Sequence, residues 1–400
     1  MNNAPKPLER KFWTPGVLVM LCFMLAGAVA VVARYAGGIA YVSNLSNARP
    51  WGLWVGLDVA TGVALAAGGF TTAAVAHIFG RRLYRPVVRP ALLTAALGYT
   101  FVVLSLIVDI GRSWAIWKPI VHWNFNSVLF EVAMCVVLYL TVLYIEFLPI
   151  VAERYKGRVR LPGPLALLNR LANWKLKVAD AALDKTMWLF IILGVVLSCM
   201  HQSSLGSLML IAPTKLHPLW YSPLLPLMFL LSAVAVGYPM VVLETTIAAS
   251  SFQLDPEMEV LTPLTRITIF LLGLYLLLKT GDIIVRETWV YLLDGTYQTN
   301  SFVVEFFLGI LLPWLLLLFG KVRHSRTGIF VASSLIVGGV VLNRINVFIV
   351  GYTSSVSDAT YFPAPGEFFV TFGFIASLMF LYRVVVTYVP VLPGSKEVTS

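Results

Sequence analysis

Long apolar stretches separated by short polar connections run along almost the whole chain. Ten of them hold about 20 or more mostly apolar residues, enough at about 1.5 Å per residue to cross about 30 Å of hydrocarbon. Because lipid offers no water to backbone groups, each stretch is predicted to be a helix. They lie at about 14–34, 52–79, 88–111, 125–150, 186–205, 222–249, 262–282, 301–320, 327–350 and 366–389.

The first stretch is expected to be a retained helix and not a cleaved signal peptide. Its apolar part is longer than a signal-peptide core, and no small-x-small cleavage site follows it. The sequence therefore predicts an all-α membrane protein with ten transmembrane helices.

Composition agrees with the apolar pattern. Of the 400 residues, 59% are apolar and 12% are charged, whereas a soluble domain carries about 25% charged residues. Three cysteines exclude a disulfide framework and an iron–sulfur protein, since one four-iron cluster needs about four thiolates. The net charge of +10 is typical of basic loops facing the cytoplasm, and we expect no nucleic-acid partner.

Basic residues alternate from one connection to the next. They cluster before the first helix and in the second, fourth and eighth connections, whereas the ninth, 351–365, has none. The clusters include Lys6, Arg10, Lys11, Arg81, Arg82, Arg85, Arg89, Arg154, Lys156, Arg158, Arg160, Arg170, Lys175, Lys177, Lys185, Lys321, Arg323 and Arg326. The positive-inside rule then predicts that both terminal tails, 1–13 and 390–400, are cytoplasmic.

The fourth connection contains a further helical pattern near 164–185. Its apolar residues share one face, and its polar residues lie elsewhere. This pattern favours a helix on the cytoplasmic membrane surface, and a plain amphipathic linker fits it equally well. The apolar residues are Leu167, Leu171, Trp174, Val178 and Ala182.

Two short motifs recur at nearly the same offset. The segment 126–131, NSVLFE, recurs as NSFVVE at 300–305, and Asp109 with Arg112 recurs as Asp282 with Arg286. An offset of four helices predicts a parallel repeat. We therefore expect two four-helix bundles, 52–205 (helices 2–5) and 222–350 (helices 6–9), flanked by helix 1 at 14–34 and helix 10 at 366–389.

Ionisable side chains inside the spans are the candidate chemistry, because each costs roughly 2.5–3.5 kcal/mol at mid-bilayer. Most lie near the predicted outer side: Asp58, Asp109, Arg112, Glu131, His201, Gln202, Asp282, Glu305 and Arg344. Each helix of the first bundle supplies at least one of them. Their convergence predicts a site there, and a purely structural role for individual groups stays open.

For several of these groups the sequence predicts a specific contact or role. Asp109 and Arg112, at i and i+3, can form an ion pair on one helix face. Glu131 is predicted about a turn and a half inside its helix, too deep to reach water easily, which favours proton handling. Glu146 lies about 22 Å further along the same helix, toward the inner side. A neutral His201 can donate a hydrogen bond to a carbonyl of a redox carrier.

Haem would need two facing histidines at one depth. Three of the five histidines lie in loops, and His77 and His201 lie at opposite membrane sides. The sequence therefore predicts no haem, and any electrons must come from an external donor at one face.

Six motifs resemble the NrfD-like integral membrane subunits of respiratory oxidoreductases, and most closely those of periplasmic nickel–iron hydrogenases. The likeness covers almost the entire chain, and the Met200–Met209 motif is specific. The motifs are PWGLWVGLDVATGVALAAGGF at 50–70, RPALL at 89–93, DIGR at 109–112, NSVLFE at 126–131, MHQSSLGSLM at 200–209 and HPLW at 217–220.

The resemblance implies a quinone site near the periplasmic face of a bacterial cytoplasmic membrane. It implies two kinds of partner: a periplasmic ferredoxin-like four-cluster iron–sulfur subunit, and the small and large hydrogenase subunits. It implies no haem or iron–sulfur cluster in this chain, with menaquinone or another quinone as substrate.

The resemblance also implies residue roles. Glu131, Glu146, Asp58 and Tyr99 would transfer protons, the last lying about halfway along helix 3. Quinone would bind near His201, Arg112, Asp109 and Gln202.

Three alternatives remain open at this point. The same quinone chemistry fits a sulfur-compound reductase or a cytochrome donor. A secondary transporter also favours internal repeats and membrane acids, although no span shows a clear break at its centre. In a passive anchor, the polar groups would only hold helices together.

Overall fold

In the computed structural model, residues 5–8, 11–155, 169–252, 258–354 and 361–392 are described. Within these residues, ten helices are long and apolar enough to cross a membrane. They are α1 (Pro15–Gly37), α2 (Trp54–Ile78), α3 (Arg82–Asp109), α4 (Val128–Tyr155), α5 (Lys185–Ser207), α6 (Leu225–Phe252), α7 (Met258–Val285), α8 (Tyr297–Leu318), α9 (Arg326–Val350) and α10 (Pro365–Tyr388). The described part of the chain contains no β-strand, only one isolated bridge between Leu216 and Tyr352.

The ten-helix prediction is confirmed, and the bounds differ mainly at helix ends. The third helix begins earlier than predicted, at Arg82, through a short 3₁₀ turn. Prolines at 90, 149, 239 and 263 lie inside helices without ending them. In packed membrane helices, neighbouring groups can satisfy the backbone that a proline frees.

Both described ends of the chain lie on the same side of the molecule. The Lys6 amide donates to the Leu392 carbonyl (3.3 Å), and the Leu8 amide donates to that of Val386 (3.0 Å). We call this side the terminal face and the opposite side the distal face. The terminal face is the one predicted to be cytoplasmic. Residues 1–4, 9–10 and 393–400 of the predicted tails lie outside the described residues.

The helices after α1 form two groups of neighbours. In the first unit, defined as α2–α5, α3 and α5 each contact α2 and α4. In the second unit, defined as α6–α9, α7 and α9 each contact α6 and α8. The descent of the two units from one repeated bundle stays a prediction.

Small residues bring the two units together along α2 and α6. A Cβ on Gly68 would lie 3.0 Å from the Gly237 carbonyl oxygen, and one on Gly237 would lie 2.6 Å from Thr71 Oγ1. Such close approach is the usual function of small residues between membrane helices. The stretch around Gly237 is continuous helix, so Pro239 does not break α6.

The predicted surface helix near 164–185 is not a separate element in its described part. Residues 164–168 lie outside the described residues, and from Asn169 onward one helix runs without interruption to Ser207. No glycine or proline occurs between 169 and 193 that would end it. Its residues Leu171, Trp174 and Val178 are exposed.

The first and last helices are more than flanking additions. They pack along each other and α10 also packs on α3. The buried Arg34 of α1 donates to the carbonyls of Val108 (2.8 Å) and Ile110 (2.7 Å). A guanidinium at these carbonyls caps the distal end of α3, where unsatisfied acceptors collect.

The contact between α1 and α10 has no room for a larger side chain. A Cβ on Gly373 would lie 2.8 Å from the Gly27 Cα. We expect Gly373→Leu to lower the free energy of unfolding in detergent by about 1–3 kcal/mol through overpacking. Gly338→Leu is the matched control, since no other atom lies within 4 Å of a Cβ there. Equal stability of the two variants would contradict this close packing.

Candidate functional site

Asp58 lies in a π-helical segment of α2, Trp54–Thr61. Such segments are rare and frequent at functional sites, because the extra residue in the turn redirects side chains. The carboxylate of Asp58 accepts hydrogen bonds from Ser105 Oγ of α3 (3.1 Å) and Thr371 Oγ1 of α10 (2.9 Å). These two hydrogen bonds place the Asp58 side chain at the junction where α2, α3 and α10 meet.

The predicted ion pair between Asp109 and Arg112 is wrong. The helix ends at Asp109 and the next residue is extended, so Arg112 leaves the helical face and is exposed. Among the described residues, Asp109 Oδ1 is buried and has no hydrogen-bond partner. The equivalent pair of the second unit, Asp282 with Arg286, does form, at 3.1 Å and i, i+4 spacing.

A second buried carboxylate, Glu367 of α10, lies near Asp109. The Tyr361 hydroxyl donates to Glu367, and the amides of Asn44 (3.1 Å) and Ala364 (3.0 Å) donate to its other oxygen. Burial, and then the hydrogen bond to Glu367, raise the pKa of Tyr361. This loop tyrosine stays protonated and closes the distal end of the α2–α3–α10 junction.

His201 of α5 is completely buried. Its Nδ1 lies 3.1 Å from the Tyr99 hydroxyl of α3, and Tyr99 is also completely buried. The Tyr99 ring stands edge-on to that of Tyr139 of α4, with 4.6 Å between centroids. The other imidazole nitrogen, Nε2, has no hydrogen-bond partner among the described residues. An orphaned buried nitrogen of this kind is suited to bind a polar ligand atom.

Glu131 lies one helical turn nearer the distal face than His201. Its Oε1 accepts a hydrogen bond from Ser204 Oγ of α5 at 2.6 Å. The expected depth of Glu131 is wrong, because α4 begins at Val128, later than predicted, so this glutamate is in the first turn and exposed. It therefore lies at the boundary between the buried imidazole and the outside of the helix bundle.

Gln202 does not face the same group as its neighbour His201. It is completely buried, and its Nε2 donates to the Val63 carbonyl of α2 at 2.8 Å. The successive side chains of an α-helix point about 100° apart, which explains the different partners. This hydrogen bond connects α5 to α2.

Glu146 lies on α4 toward the terminal face and is half-buried. Its Oε1 lies against α5 at Gly194, where a Cβ would be 2.9 Å away. Further toward the terminal face, Glu153 accepts from Arg89 at 2.7 Å. Acidic side chains therefore occur along α4 from its distal start to its terminal-face end.

The structure thus places five of the eight predicted site residues in two groups and leaves Glu146, Arg112 and Gln202 outside both. Tyr99 contacts His201, and Glu131 bonds Ser204 one turn further along α5; we call this region, where α3, α4 and α5 pack, the imidazole cluster. Asp58 and Asp109 lie with Glu367 at the junction with α10. The sequence predicted a single convergence, since it gave no information on which side of the first unit α10 packs.

The second unit has a polar core built around one fully paired carboxylate. Lys279 of α7 donates to Oε1 of the completely buried Glu305, as does Asn343 Nδ2 at 2.8 Å. Trp220 Nε1 (2.9 Å) and Asn346 Nδ2 (2.7 Å) donate to Oε2. A carboxylate with four donors is a stable anion even in a low-dielectric interior.

Arg344 joins this core to α6. It is completely buried and donates to Asn343 Oδ1 (2.6 Å), Ser232 Oγ (2.9 Å) and the Phe229 carbonyl (3.2 Å). Its guanidinium also stands 3.7 Å from the Phe229 ring centroid, a cation–π arrangement. In the first unit, Gln202 of α5 similarly donates to a backbone carbonyl of α2.

Three important charged residues were missed from the sequence. Lys279 lies near the end of an apolar run, LYLLLK, and Arg34 and Glu367 lie near helix ends, where long side chains usually reach water. Only Lys279 had a usable signal, since a lysine inside a predicted span implies a nearby acid.

Three curated relatives cover nearly the full chain. A protein of Escherichia coli described as a probable Ni/Fe-hydrogenase 2 b-type cytochrome subunit is 33% identical, over 99% of this chain and 97% of its own length. The integral membrane subunit of a menaquinone reductase from Nitratidesulfovibrio vulgaris is 25% identical, over 96% and 92%. One of the subunits of a selenate reductase from Mesobacillus selenatarsenatis is 24% identical, over 95% of both chains.

The cytochrome in the first relative's description raises the question of haem. His77 lies at the terminal-face end of α2 and His201 in the distal half of α5, so they cannot ligate one haem. Of the other histidines, His122 and His324 are exposed, and the half-buried His217 lies in a loop, where burial lowers its pKa. These residues do not fit a bis-histidine haem. The described residues also hold no group of three or more His, Cys, Asp or Glu suited to a metal ion.

A family model described as polysulphide reductase, NrfD, matches residues 41–356. This range begins before α2 and ends after α9, so it contains both units and the imidazole cluster. With the full-length similarity to the hydrogenase subunit, it shows that the chain belongs to the NrfD family, the multi-pass membrane subunits of respiratory oxidoreductases.

Proposed function

We propose that this chain is the quinone-reactive membrane subunit of a periplasmic hydrogenase complex. It accepts two electrons at the distal face from a partner subunit, delivers them to menaquinone at the imidazole cluster, and conducts the protons that the quinone requires. The distal face is then periplasmic, and both termini are in the cytoplasm of a bacterium with the chain in its inner membrane.

The observation that carries this proposal is the state of His201. A completely buried imidazole holds one hydrogen bond, to Tyr99, and has a second nitrogen without a partner among the described residues. Leaving a buried polar group unpaired costs about 1–3 kcal/mol, so a protein retains such a group where a ligand uses it. A quinone carbonyl is a neutral acceptor that suits this nitrogen.

The hydrogen bonds give each residue of the cluster a definite role. When the Tyr99 hydroxyl donates to Nδ1, the neutral imidazole carries its proton on Nε2 and donates it to a quinone carbonyl. Reduction of a quinone to a quinol takes two electrons and two protons. Glu131, one turn from His201 and bonded to Ser204, is placed to deliver a proton.

The expected partners follow from the family and the relatives. The Escherichia coli relative is described as a hydrogenase 2 subunit and the Nitratidesulfovibrio vulgaris relative as part of a menaquinone reductase. We propose that a ferredoxin-like four-cluster iron–sulfur subunit docks on the distal face. Electrons reach it from the small and large nickel–iron hydrogenase subunits.

We propose that this chain holds no cofactor of its own. Its histidines do not fit a haem, and its three cysteines are distributed over α1, α4 and α5. The electrons then pass from a cluster of the partner to a quinone near the distal face, without crossing the bilayer through this subunit.

Protons are proposed to come from the cytoplasm along α4, through Glu146 toward Glu131. Uptake from that side with electrons delivered from the other side adds to the proton gradient. The reverse flow would let the gradient drive hydrogen evolution. Asp58 is proposed to act in a separate proton exchange at the junction with α10.

A second candidate function is the same quinone chemistry with a different electron donor, because relatives of this chain are also named for menaquinone and selenate reductases. The same site would then serve a sulfur-compound reductase or a cytochrome donor. The subunits that co-purify with the chain, or that neighbouring genes encode, discriminate between these donors.

Glu131 tests the proposed proton delivery. Replacing it by Gln removes the titratable proton while keeping the hydrogen bond from Ser204, so we expect quinone-linked hydrogen oxidation to fall by about 10²–10⁴-fold. Hydrogen oxidation with an artificial dye, which needs no quinone, should stay unchanged. Both rates are measured on the purified complex.

Glu259→Gln is the matched control, because Glu259 is exposed in the first turn of α7 at the terminal face, away from the cluster and from the proposed docking face. Its quinone-linked rate should equal that of the unmodified complex. Normal quinone reduction by the Glu131→Gln complex would reject the role proposed for Glu131 and favour a passive anchor.

The proposed absence of haem is tested on the purified chain. Purified chain, separated from its partners, should show no haem absorption bands and should yield no stoichiometric haem on extraction. Haem in the unmodified chain that is lost in a His201→Ala variant would contradict the proposed role of this histidine as a ligand of quinone.

A further inference from the structure

Two buried hydroxyl groups lie midway along the packed pair α4 and α5. Tyr139 is 1% exposed and Ser198 is 0% exposed. Neither hydroxyl has a hydrogen-bond partner among the described residues. Ser198 lies close to the hydroxyls of both Tyr139 and Tyr99.

Tyr139 lies about halfway along α4 between two of its acids, Glu131 and Glu146. Tyr139 is eight residues from Glu131 and seven from Glu146, about 12 and 10 Å along a helix that rises about 1.5 Å per residue. A direct proton transfer between these acids is too long, since a transfer step needs heavy atoms within about 2.6–3.2 Å or one bridging water. A group halfway reduces the gap to two shorter ones.

On the side of α5 that faces α4, four small or polar residues recur at the spacing of one helix face. Gly194, Ser198, His201 and Ser204 follow at intervals of four, three and three residues, which places them on one helix face. The ends of this row contact the acids of α4: Gly194 lies against Glu146, and Ser204 bonds Glu131. Small or polar residues of α5 therefore recur along the interface from one acid to the other, among apolar side chains such as Val142 and Leu197.

Gly194 opens this interface at its inner end. A Cβ there would lie 2.9 Å from Glu146 Oε1 and 3.7 Å from Tyr139 Cε2. The same small residue therefore borders both the carboxylate and the tyrosine ring. Its lack of a side chain lets the Glu146 carboxylate lie between the two helices.

Hydroxyl groups can pass a proton without a change of net charge. Each has one O–H donor and two acceptor lone pairs, so it accepts a proton on one side while it releases its own on the other. Unlike a second carboxylate, a hydroxyl needs no ionised form in the membrane interior, where a charge is costly.

We propose that Tyr139 and Ser198 form the mid-membrane proton relay between Glu146 and the imidazole cluster. The proton leaves the Glu146 carboxyl and passes the Tyr139 and Ser198 hydroxyls. It then reaches Tyr99 and His201, or Glu131 beside Ser204, and finally a quinone oxygen. Bridging water completes the steps that side chains do not span. The inference rests on the proposed function, whose cytoplasmic proton route it makes specific.

The experiment uses the complete complex in proteoliposomes with menaquinone. Tyr139→Phe and Ser198→Ala, singly and together, remove the hydroxyls and leave the Tyr99–Tyr139 ring contact in place. Glu146→Gln tests the route itself, and Tyr238→Phe is the matched control, a buried tyrosine of α6 outside the row. Three quantities are measured: dye-linked hydrogen oxidation, the quinone reduction rate in H₂O and D₂O, and pH on the cytoplasmic side.

We expect the double variant to reduce quinone about 10-fold more slowly or worse, a smaller loss than the about 10²–10⁴-fold effect of a direct proton donor. Proton uptake from the cytoplasmic side should fall in proportion, and the solvent isotope effect should increase. Dye-linked oxidation and the Tyr238→Phe complex should be unchanged. A packing role alone would move neither the isotope effect nor the side of proton uptake.

Normal quinone reduction by the double variant, with Glu146→Gln slow, would overturn the relay and leave the proposed route standing. Normal reduction by Glu146→Gln would overturn both the route and the relay, and the quinone site would then depend on the Glu131→Gln result. If Tyr139→Phe fails to assemble, Ser198→Ala decides, because it removes one oxygen atom and little packing volume.

Discussion

A polar atom buried in a bilayer has to find its partner inside the protein, because hydrocarbon supplies none. In the second unit every oxygen of Glu305 has two donors, and Lys279 offsets its charge. The imidazole cluster differs from that carboxylate, since His201, Tyr139 and Ser198 each have a buried atom that has no partner among the described residues. Arg344 Nε in the second unit is also without a partner among them, but it belongs to a cation whose other nitrogens are bonded. We therefore interpret the neutral imidazole, and not the paired carboxylate, as the group that can accept a ligand.

The contrast gives the two units different tasks. A buried ion pair costs several kcal/mol of desolvation per ion, and breaking it by removing one partner costs about 3–5 kcal/mol, so the core around Glu305 resists change. We interpret the second unit as the rigid support on which α2 and α5 pack through α6. In the first unit, several polar atoms stay without partners among the described residues, and packing on the second unit offsets the free-energy cost of leaving them unpaired.

Sequence reasoning predicted the features that depend on one helix at a time. The ten spans follow from apolar length, and the family from motifs such as that at Met200–Met209. It failed where position depends on a neighbour: α3 ends at Asp109 beside Arg34, before Arg112, and Asp58 turns toward Thr371 on α10. Contacts between helices far apart in sequence leave no local pattern.

The proposed function depends above all on a quinone headgroup binding at the imidazole cluster of the first unit. An experimental structure of the whole complex with menaquinone bound would show this contact or its absence. We predict a quinone carbonyl within hydrogen-bond distance of His201 Nε2, with the quinone tail leaving toward lipid. A headgroup bound against α7–α9, or one that leaves His201 untouched, would contradict the proposal.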